Sequence, residues 1–397
     1  MLAGDETMKS AKLAGLAVAA LCVLPVGGCK KVLEISVPDL PPAEEKPAGI
    51  TAEEMARLLA SLPIAREQVE EVHDAVSSSA ENGYDEEYLM RHLVETPGAG
   101  VGETPSKAAT RAYSRPLREL LREAVAATRA ASPADSFLDS LSSSDLQLYW
   151  PFSEKWDGQQ LPVVTFDPGD FASSNEGYAL LPDGSVETVL VDEQMAAERP
   201  VWVVNRNSDA DYTSLELRRR EDPSWGSGGG DILIRPSATR DIKTLVLRSF
   251  KAKRQYDSWF SGGSEFFCKI GSVENFVAST EAELRLYQPS ITDFMIVVRR
   301  DQVGQELPFN AVLVSEWTNQ LSNCAFMLIE DDGGTRTKWA CSATVKYNSK
   351  SYGFELEIPL NSRDDIVWRG ALSRSYIEKY SGTVGSFGDV DLVLELI

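Results

Sequence analysis

Residues 324–341 read CAFMLIEDDGGTRTKWAC, an apolar run followed by an acidic, glycine-rich break and a second run that ends in cysteine. Asp332-Gly333 is a strong signal for a two-residue hairpin turn, because both central positions of that turn favour φ above zero. Counting outward from this turn places Cys324 opposite Cys341. The stretch therefore predicts an antiparallel hairpin, with the two cysteines in a non-hydrogen-bonded pair.

A pair of this kind brings the two Cα atoms to about 4.5 Å, which is at the short end of the range that a disulfide accepts. We predict a disulfide between Cys324 and Cys341; two buried free thiols are the alternative. Cys268 lies in the apolar run FFCKI and is predicted to be a small core residue rather than a nucleophile.

Short strand-like runs surround the hairpin and continue to the end of the chain, separated by Asp, Gly, Pro and Asn. We predict a β-rich middle segment at 146–230 and an antiparallel β-sandwich domain at 231–397. The Gly/Ser-rich stretch 225–230 separates the two series of strands. No regular alternation of strands and helices is present, which argues against a doubly wound nucleotide-binding fold.

Helical periodicity dominates residues 51–145. Thr51-Ala52-Glu53-Glu54 has the spacing of a capping box, and apolar residues at helical spacing follow it. The segment predicts a small helical domain. The fold class is therefore α+β, with an N-terminal helical bundle followed by an antiparallel β-rich region.

The N-terminus carries two lysines, a short apolar stretch and then Val26-Gly27-Gly28-Cys29. This arrangement resembles a bacterial lipoprotein signal with a lipobox that ends at Cys29. The apolar stretch is shorter than the roughly 20 residues that a spanning helix needs, and an ordinary cleaved signal is the next alternative. We predict a signal peptide at 1–28, with translation starting at Met8, and lipidation of Cys29.

Residues 29–50 are rich in proline and acids and predict an extended tether between membrane and folded protein. Lys30 and Lys31 follow the cysteine, where an Asp would favour retention at the inner membrane. The expected location is therefore the bacterial cell envelope, lipid-anchored, at the outer membrane.

The 397-residue chain has 39 basic and 60 acidic residues, giving a net charge of −21. Such a surface repels phosphate backbones, so nucleic acid is not expected as a partner. The acyl chains rather than charge must hold the protein on an anionic membrane. The expected partners are the membrane, through the lipid anchor, and an unidentified protein or glycan.

Motifs for catalysis are missing. The two histidines, His73 and His92, form no His-Glu-x-x-His run, and no Gly-x-Ser-x-Gly elbow is present. The histidines could hold a metal with nearby glutamates, but single helical histidines are more often packing residues. We predict no catalytic residue, no cofactor and no metal ligand.

Three groups of acids lie at the ends of predicted strands, namely Asp331-Asp332, Asp364-Asp365, and Asp389 with Asp391. Calcium takes six to eight oxygen ligands, which several such loops can supply together. Aspartate also favours turns and keeps a surface soluble. Calcium therefore stays a hypothesis at this stage. Four tryptophans could stack on sugars if they are exposed, although most tryptophans lie in the core: Trp150, Trp156, Trp225 and Trp259.

Four segments carry a resemblance: GYDEEYL at 83–89, WPFSEKWDG at 150–158, VDE at 191–193 and PVWVVN at 200–205. They resemble landmarks of uncharacterised lipoproteins from Bacteroidetes and related Gram-negative bacteria. The resemblance implies lipoprotein status and helices followed by strands, and it brings no activity. The expected function is a membrane-anchored extracytoplasmic binding module; the alternative is an envelope-associated hydrolase that uses carboxylates, with or without calcium.

Overall fold

A computed structural model describes residues 50–94, 113–128, 134–169, 172–181, 183–207, 212–222 and 242–397. The predicted signal peptide, Cys29 and nearly all of the tether lie outside these residues. Among the described residues, no helix combines the length and apolar character needed to cross a membrane.

Helices dominate the first part of the chain. They are α1 (Ala52–Ala60), α2 (Arg66–Glu81), α3 (Met90–Val94), α4 (Leu117–Thr128) and α5 (Ala134–Ser142). The predicted capping box is confirmed at the start of α1. The Glu54 amide donates to Thr51 Oγ1 at 3.1 Å, and the Thr51 amide donates to Glu54 Oε2 at 3.0 Å.

A six-stranded sheet lies against these helices. Its strands are β1 (Glu87–Leu89), β2 (Leu146–Tyr149), β3 (Val163–Phe166), β4 (Ser174–Leu180), β5 (Val186–Asp192) and β6 (Val201–Arg206), in the order β1-β2-β6-β3-β4-β5. All pairs are antiparallel except β3 with β6. Helix α6 (Glu193–Glu198) links β5 to β6, and α7 (Leu215–Glu221) follows β6.

The predicted separate helical bundle is not supported. Strand β1 lies between α2 and α3, inside the segment predicted to be helical, and it pairs with β2, which follows the predicted boundary at residue 145. The helices and this sheet therefore belong to one unit. Met55 and Val72 from the helices share one buried cluster with Trp202 and Val204 from the sheet. A three-residue strand is too short to show the alternation that distinguishes a strand from a helix. We call residues 50–206 the N-terminal unit.

The second part of the chain is β-rich, as predicted. Its elements are β7 (Lys243–Ala252), β8 (Ser264–Ser272), β9 (Ser290–Val298), β10 (Leu307–Trp317), β11 (Leu321–Glu330), β12 (Arg336–Tyr347), β13 (Lys350–Asn361), β14 (Asp365–Ser373), α8 (Arg374–Tyr380), β15 (Thr383–Phe387) and β16 (Val390–Leu396). We call residues 242–397 the C-terminal unit.

Two antiparallel sheets make up this unit. One has the order β10-β7-β16-β15, and the other has the order β13-β12-β11-β8-β9 with β14 also paired to β11. The sheets share one hydrophobic cluster. Phe250 of the first sheet and Phe266 of the second place their ring centroids 5.2 Å apart. The mixed α/β class with several antiparallel sheets is therefore confirmed.

The predicted disulfide is wrong, because Cys324 and Cys341 are both free thiols. Strand β11 pairs with β12 only at its beginning, and β14 then takes the same edge, so that Leu372 lies opposite Cys324. The connection between β11 and β12 is also longer than the expected two-residue turn. Cys268 is fully buried, as predicted, and burial raises the pKa of its thiol well above the ordinary value.

Candidate functional site

The acidic groups predicted at the strand ends fall into three different environments. Asp389 and Asp391 are ion-paired, with 2.7 Å between Arg254 Nε and Asp389 Oδ2 and 2.6 Å between Lys253 Nζ and Asp391 Oδ1. The basic partners hold the pKa of both carboxyl groups below the ordinary value. These two aspartates are therefore neutralised locally and are poor metal ligands.

Asp331 and Asp364 tie two loops together. Asn361 donates its side-chain amide to Asp331 Oδ1 at 3.1 Å and its backbone amide to Asp364 Oδ2 at 2.7 Å. The Gly333 amide also donates to Asp331 Oδ1, at 2.9 Å. Burial raises the pKa of Asp364 to about 6. Both acids are thus used in holding the loop that follows β11.

The third environment is a group of three acids, Asp257, Glu330 and Asp332, which we call the carboxyl cluster. One carboxylate oxygen from each lies within 4.8 Å of those from the other two. Glu330 is buried, Asp257 is half-buried and Asp332 is exposed. The cluster therefore extends from the interior of the protein to the surface.

Strand pairing fixes the position of Glu330. It is the last residue of β11 and lies in register between Phe266 of β8 and Asp365 of β14. Residues two apart on a strand share a face, so Glu330 continues the row of Phe326 and Leu328. Both of those side chains are fully buried. Strand β11 thus places a carboxyl group at a position where its alternation otherwise puts a buried apolar side chain.

Asp257 is positioned by the loop between β7 and β8, which is anchored on the N-terminal unit. Trp259 and Phe260, two and three residues later, are buried in a cluster that includes Val201 and Val203 of β6. Arg300 Nη1 donates to the Asp257 carbonyl oxygen at 3.4 Å. The carboxyl cluster therefore joins a strand of one unit to a loop held by the other.

Glu330 has the least compensated environment of the three acids. Its exposed fraction is 0%, and its carboxyl group lies in hydrogen-bond contact with the Asp257 carboxyl group and with Ser264. Burial raises the pKa of Glu330 far above its ordinary value, and the adjacent Asp257 carboxyl raises it further. Burial likewise raises the pKa of Asp257, to about 7, although the hydrogen bond with Glu330 and the charge of Arg300 act in the opposite direction. A buried and a half-buried carboxyl group in direct contact cannot both ionise at low cost, so the pair requires a shared proton or a cation.

Arg300, which contacts this loop, is already engaged. Arg300 Nε lies 2.7 Å from Glu193 Oε1, and its Nη1 donates to backbone carbonyl oxygens of the loop. Asp85 belongs to the N-terminal unit, and it accepts a 2.6 Å hydrogen bond from the amide of Gly263 in the C-terminal unit. The surroundings of the cluster are therefore predominantly acidic.

Glu86 is a buried acid with a structural role. It accepts hydrogen bonds from the Ser153 amide at 3.0 Å, the Ser153 hydroxyl at 2.8 Å and the Phe152 amide at 3.3 Å. Burial raises the pKa of Glu86 to about 8, and the neighbouring charge of Asp85 adds to the rise. Its carboxyl group holds the turn that begins the WPFSEKWDG segment.

The histidines lie outside the cluster. The ring centroid of His73 lies 5.6 Å from that of Trp150 and 5.2 Å from that of Trp156, so this histidine packs among aromatic rings. Of the tryptophans considered for sugar stacking, Trp150 and Trp259 are buried and Trp156 is half-buried. Trp225 lies outside the described residues.

Sequence reasoning identified Asp332 as a calcium ligand candidate but missed Asp257 and Glu330. Glu330 carried a usable signal, because it ends the apolar run AFMLI at a position that continues the alternation. Asp257 carried none, since its place depends on the distant contacts of Trp259 and Phe260.

No protein-family model, curated protein or solved structure matches this chain. The resemblance to uncharacterised bacterial lipoproteins therefore stays a prediction.

Proposed function

We propose that this protein is a lipid-anchored binding module of the bacterial cell envelope whose carboxyl cluster binds a calcium ion. The observation that carries the proposal is the convergence of Asp257, Glu330 and Asp332, with oxygens within 4.8 Å of one another. The second support is Glu330, which is fully buried beside the Asp257 carboxyl group and has no basic residue of the described part of the chain acting on its pKa.

The ligand chemistry favours a hard cation. All three residues offer oxygen only, which suits calcium, magnesium or manganese rather than zinc. Calcium accepts six to eight oxygens in flexible geometry and takes carboxylates in either monodentate or bidentate form. Three carboxylates supply three to six oxygens, and water completes the shell from the exposed Asp332 side.

A cation also relieves the electrostatic cost of the cluster. Ionising a buried carboxyl group is costly, and neighbouring carboxylates increase that cost. A bound divalent ion favours the ionised forms and adds to the partial compensation that Arg300 gives Asp257. The cation therefore competes with protons for the same oxygens.

The two-unit architecture supports the proposed binding role. The anchor is a lipidated Cys29, and residues 29–50 act as the tether that carries the folded part away from the membrane. The two sheets of the C-terminal unit, with their shared core, form the β-sandwich that presents a surface for a protein or glycan partner. A calcium ion at the junction stiffens the loop that joins this unit to the N-terminal unit.

Thermal unfolding with added calcium tests this proposal. Calcium should raise the melting temperature of the unmodified protein at pH 8, and EDTA should reverse the rise. Glu330→Gln should remove the response, whereas Asp389→Asn should keep it, because Asp389 is paired with Arg254 outside the cluster. A response that Glu330→Gln leaves intact, or no response at all, would contradict the proposal.

The carboxylate hydrolase remains the second candidate. One observation favours it: Asp257 and Glu330 are adjacent carboxyl groups, both with raised pKa, as a general acid requires. A screen against envelope glycans and peptides separates the candidates. If the protein hydrolyses one of these substrates, and Asp257→Asn abolishes the hydrolysis without loss of fold, the hydrolase is the correct function.

A further inference from the structure

A groove opens on the side of the C-terminal unit, between helix α8 and the last two strands. Its volume is about 240 Å³, and it is open to solvent. The residues that line it are Tyr376, Ile377, Tyr380, residues 383–387, Leu392 and Leu394. The groove shares no residue with the carboxyl cluster.

Strand β15 borders the groove and is the last strand of its sheet. It pairs with β16 on one side, where Gly385 lies opposite Leu392, and no strand of the described part of the chain pairs with its other side. In an antiparallel strand, the backbone amide and carbonyl groups of successive residues alternate between the two sides. The outward groups of β15 can therefore pair with a further strand.

The sequence of β15 does not protect this edge. Residues 383–387 read TVGSF and contain neither a charged residue nor proline, with which proteins usually prevent pairing at an edge. The other outer strands β9, β10 and β13 carry Asp293, Pro308 and Lys350. Val384 of β15 is 66% exposed. An unprotected edge with an exposed apolar residue suits the addition of a strand from a partner.

Gly385 leaves a hollow on the inner face of the same edge. It shares that face with Phe387, because residues two apart on a strand lie on one face. A Cβ atom at Gly385 would lie 3.0 Å from the Phe387 ring and 3.6 Å from the Tyr376 hydroxyl, so glycine keeps this space open. A residue opposite Gly385 on an added strand points to the same face, and its side chain enters the hollow.

Two exposed tyrosines form the opposite wall of the groove. Tyr376 and Tyr380 lie one turn apart on α8, and their ring centroids are 4.9 Å apart. The buried Ile377 between them holds the helix on the core. The two rings therefore present a large apolar surface in a position that the core fixes.

The free charge beside the groove is positive. Lys379 is exposed, lies with Nζ 4.9 Å from the Tyr380 ring centroid, and has no ionic partner among the described residues. Lys253, on the other side of β15, is paired with Asp391 at 2.6 Å. Lys379 therefore favours a partner segment that carries a carboxylate near one end.

A second copy of this chain does not fit the hollow. In a two-fold antiparallel pairing of β15 with its copy, the β15 residue opposite Gly385 is Thr383, Gly385 or Phe387. Phe387 is already buried in its own core, and threonine and glycine are too small to fill the space. The net charge of −21 adds repulsion between copies. The groove thus favours a segment of a different protein.

We propose that this groove binds an extended segment of another protein, which adds a strand to the open edge of β15. A bulky apolar side chain of the segment fills the hollow at Gly385, and a carboxylate near its end lies beside Lys379. Main-chain hydrogen bonds to β15 provide affinity, and the hollow provides selectivity. The site deepens the proposed binding role and rests on it, but it uses none of the calcium ligands.

The fluorescein-labelled peptide TVTFTVD is a suitable probe, with TVTATVD as its matched control. When the first peptide is extended, its valines and phenylalanine lie on one face, and its aspartate lies at one end. Fluorescence anisotropy should show saturable binding of the phenylalanine peptide. The alanine peptide should bind at least about tenfold more weakly, because burial of an aromatic ring contributes that much affinity.

Three variants of the groove test the contacts separately. Val384→Asp places a charge on the edge and should weaken binding of the phenylalanine peptide at least about tenfold. Gly385→Leu should have a similar effect because it fills the hollow. Lys379→Gln should weaken binding by about two- to fivefold, as expected for an exposed ion pair. Val384 and Lys379 are exposed, so their replacement keeps the fold.

Leu190→Asp is the matched control, because Leu190 is an exposed apolar residue on β5, the outer strand of the other unit. This variant should bind the phenylalanine peptide normally. Glu330→Gln should also bind it normally while losing the calcium response, so the calcium proposal and the peptide proposal can fail separately.

Three results would overturn the proposal: no saturable binding of the phenylalanine peptide, equal binding of the two peptides, or normal binding by both Val384→Asp and Gly385→Leu. Maltohexaose tests a glycan as the occupant. Saturable binding of maltohexaose that Tyr380→Ala abolishes and Val384→Asp leaves intact would assign the groove to a sugar and would overturn the proposal too.

Discussion

Asp257 and Glu330 bring carboxyl oxygens within 4.8 Å of each other although one lies in a loop and the other ends a buried strand. The loop is held by the N-terminal unit through Trp259 and Phe260, while Glu330 belongs to the core sheet of the C-terminal unit. The pair therefore lies where the two units meet, so a change in its protonation, or the proposed cation, acts at the contact between them.

The cation-free protein should lose stability as the pH rises. Glu330, Asp257 and Glu86 all have raised pKa values in the folded state, so the folded chain keeps protons that the unfolded chain releases above about pH 4.5. The stability that these groups contribute is fully present below about pH 4, and it falls as the pH rises by up to about 1.4 kcal/mol per pH unit for each such group. Urea unfolding at a series of pH values in EDTA measures this, and a stability that rises from pH 5 to pH 8 would contradict it.

Glu330→Gln should flatten that pH dependence. The amide cannot ionise, so the cost of keeping a buried carboxyl group protonated disappears, and the variant should be more stable than the parent at pH 8 without calcium. Asp389→Asn, which removes an exposed ion-pair partner, should keep the parental slope. If the stability of Glu330→Gln depends on pH as steeply as that of the parent, ionisation of Glu330 does not cause the pH dependence.

Calcium should stabilise the protein more at pH 8 than at pH 5. Protons and the cation compete for the same carboxyl oxygens, and protons occupy more of them at the lower pH. The shift in melting temperature at a fixed calcium concentration provides the measurement. Equal shifts at the two pH values would indicate a site whose ligands do not titrate in this range.

The three cysteines of the C-terminal unit should remain reduced. Cys268 and Cys324 are fully buried and Cys341 is partly exposed, and none is bonded to another. Alkylation after unfolding without reductant, followed by mass spectrometry, should label all three. Labelling of Cys268 alone would show instead that Cys324 and Cys341 form a disulfide.

Cys29→Ser should release the protein from membranes, because the proposed acyl chains would anchor it through about 0.8 kcal/mol for each buried methylene. Membrane fractionation measures the distribution, and Cys268→Ser serves as a control with a cysteine unrelated to the signal. Continued membrane attachment of Cys29→Ser would refute the lipid anchor.

Local signals in the sequence predicted the local features of the fold. The capping box at Thr51 was confirmed, and the β-rich second half followed from short apolar runs with regular turns. Non-local pairing could not be predicted in this way. Strand β14 takes the edge of β11 that the hairpin pattern gave to β12, and that choice depends on packing between distant segments.

The residues of the candidate site likewise divide into those with a local sequence signal and those that only non-local contacts identify. Asp332 was found because acidic turns are visible locally, whereas Asp389 and Asp391 looked equivalent until Arg254 and Lys253 were seen to pair with them. The importance of Glu330 depends on burial and on the approach of Asp257, which no spacing along the chain reveals.

The central claim is that the carboxyl cluster binds calcium, and isothermal titration calorimetry at pH 8 tests it most directly. The account predicts one calcium ion per chain, with binding lost in Glu330→Gln, weakened in Asp332→Asn and unchanged in Asp389→Asn. No binding to the parent protein, or equal binding to Glu330→Gln, would contradict it.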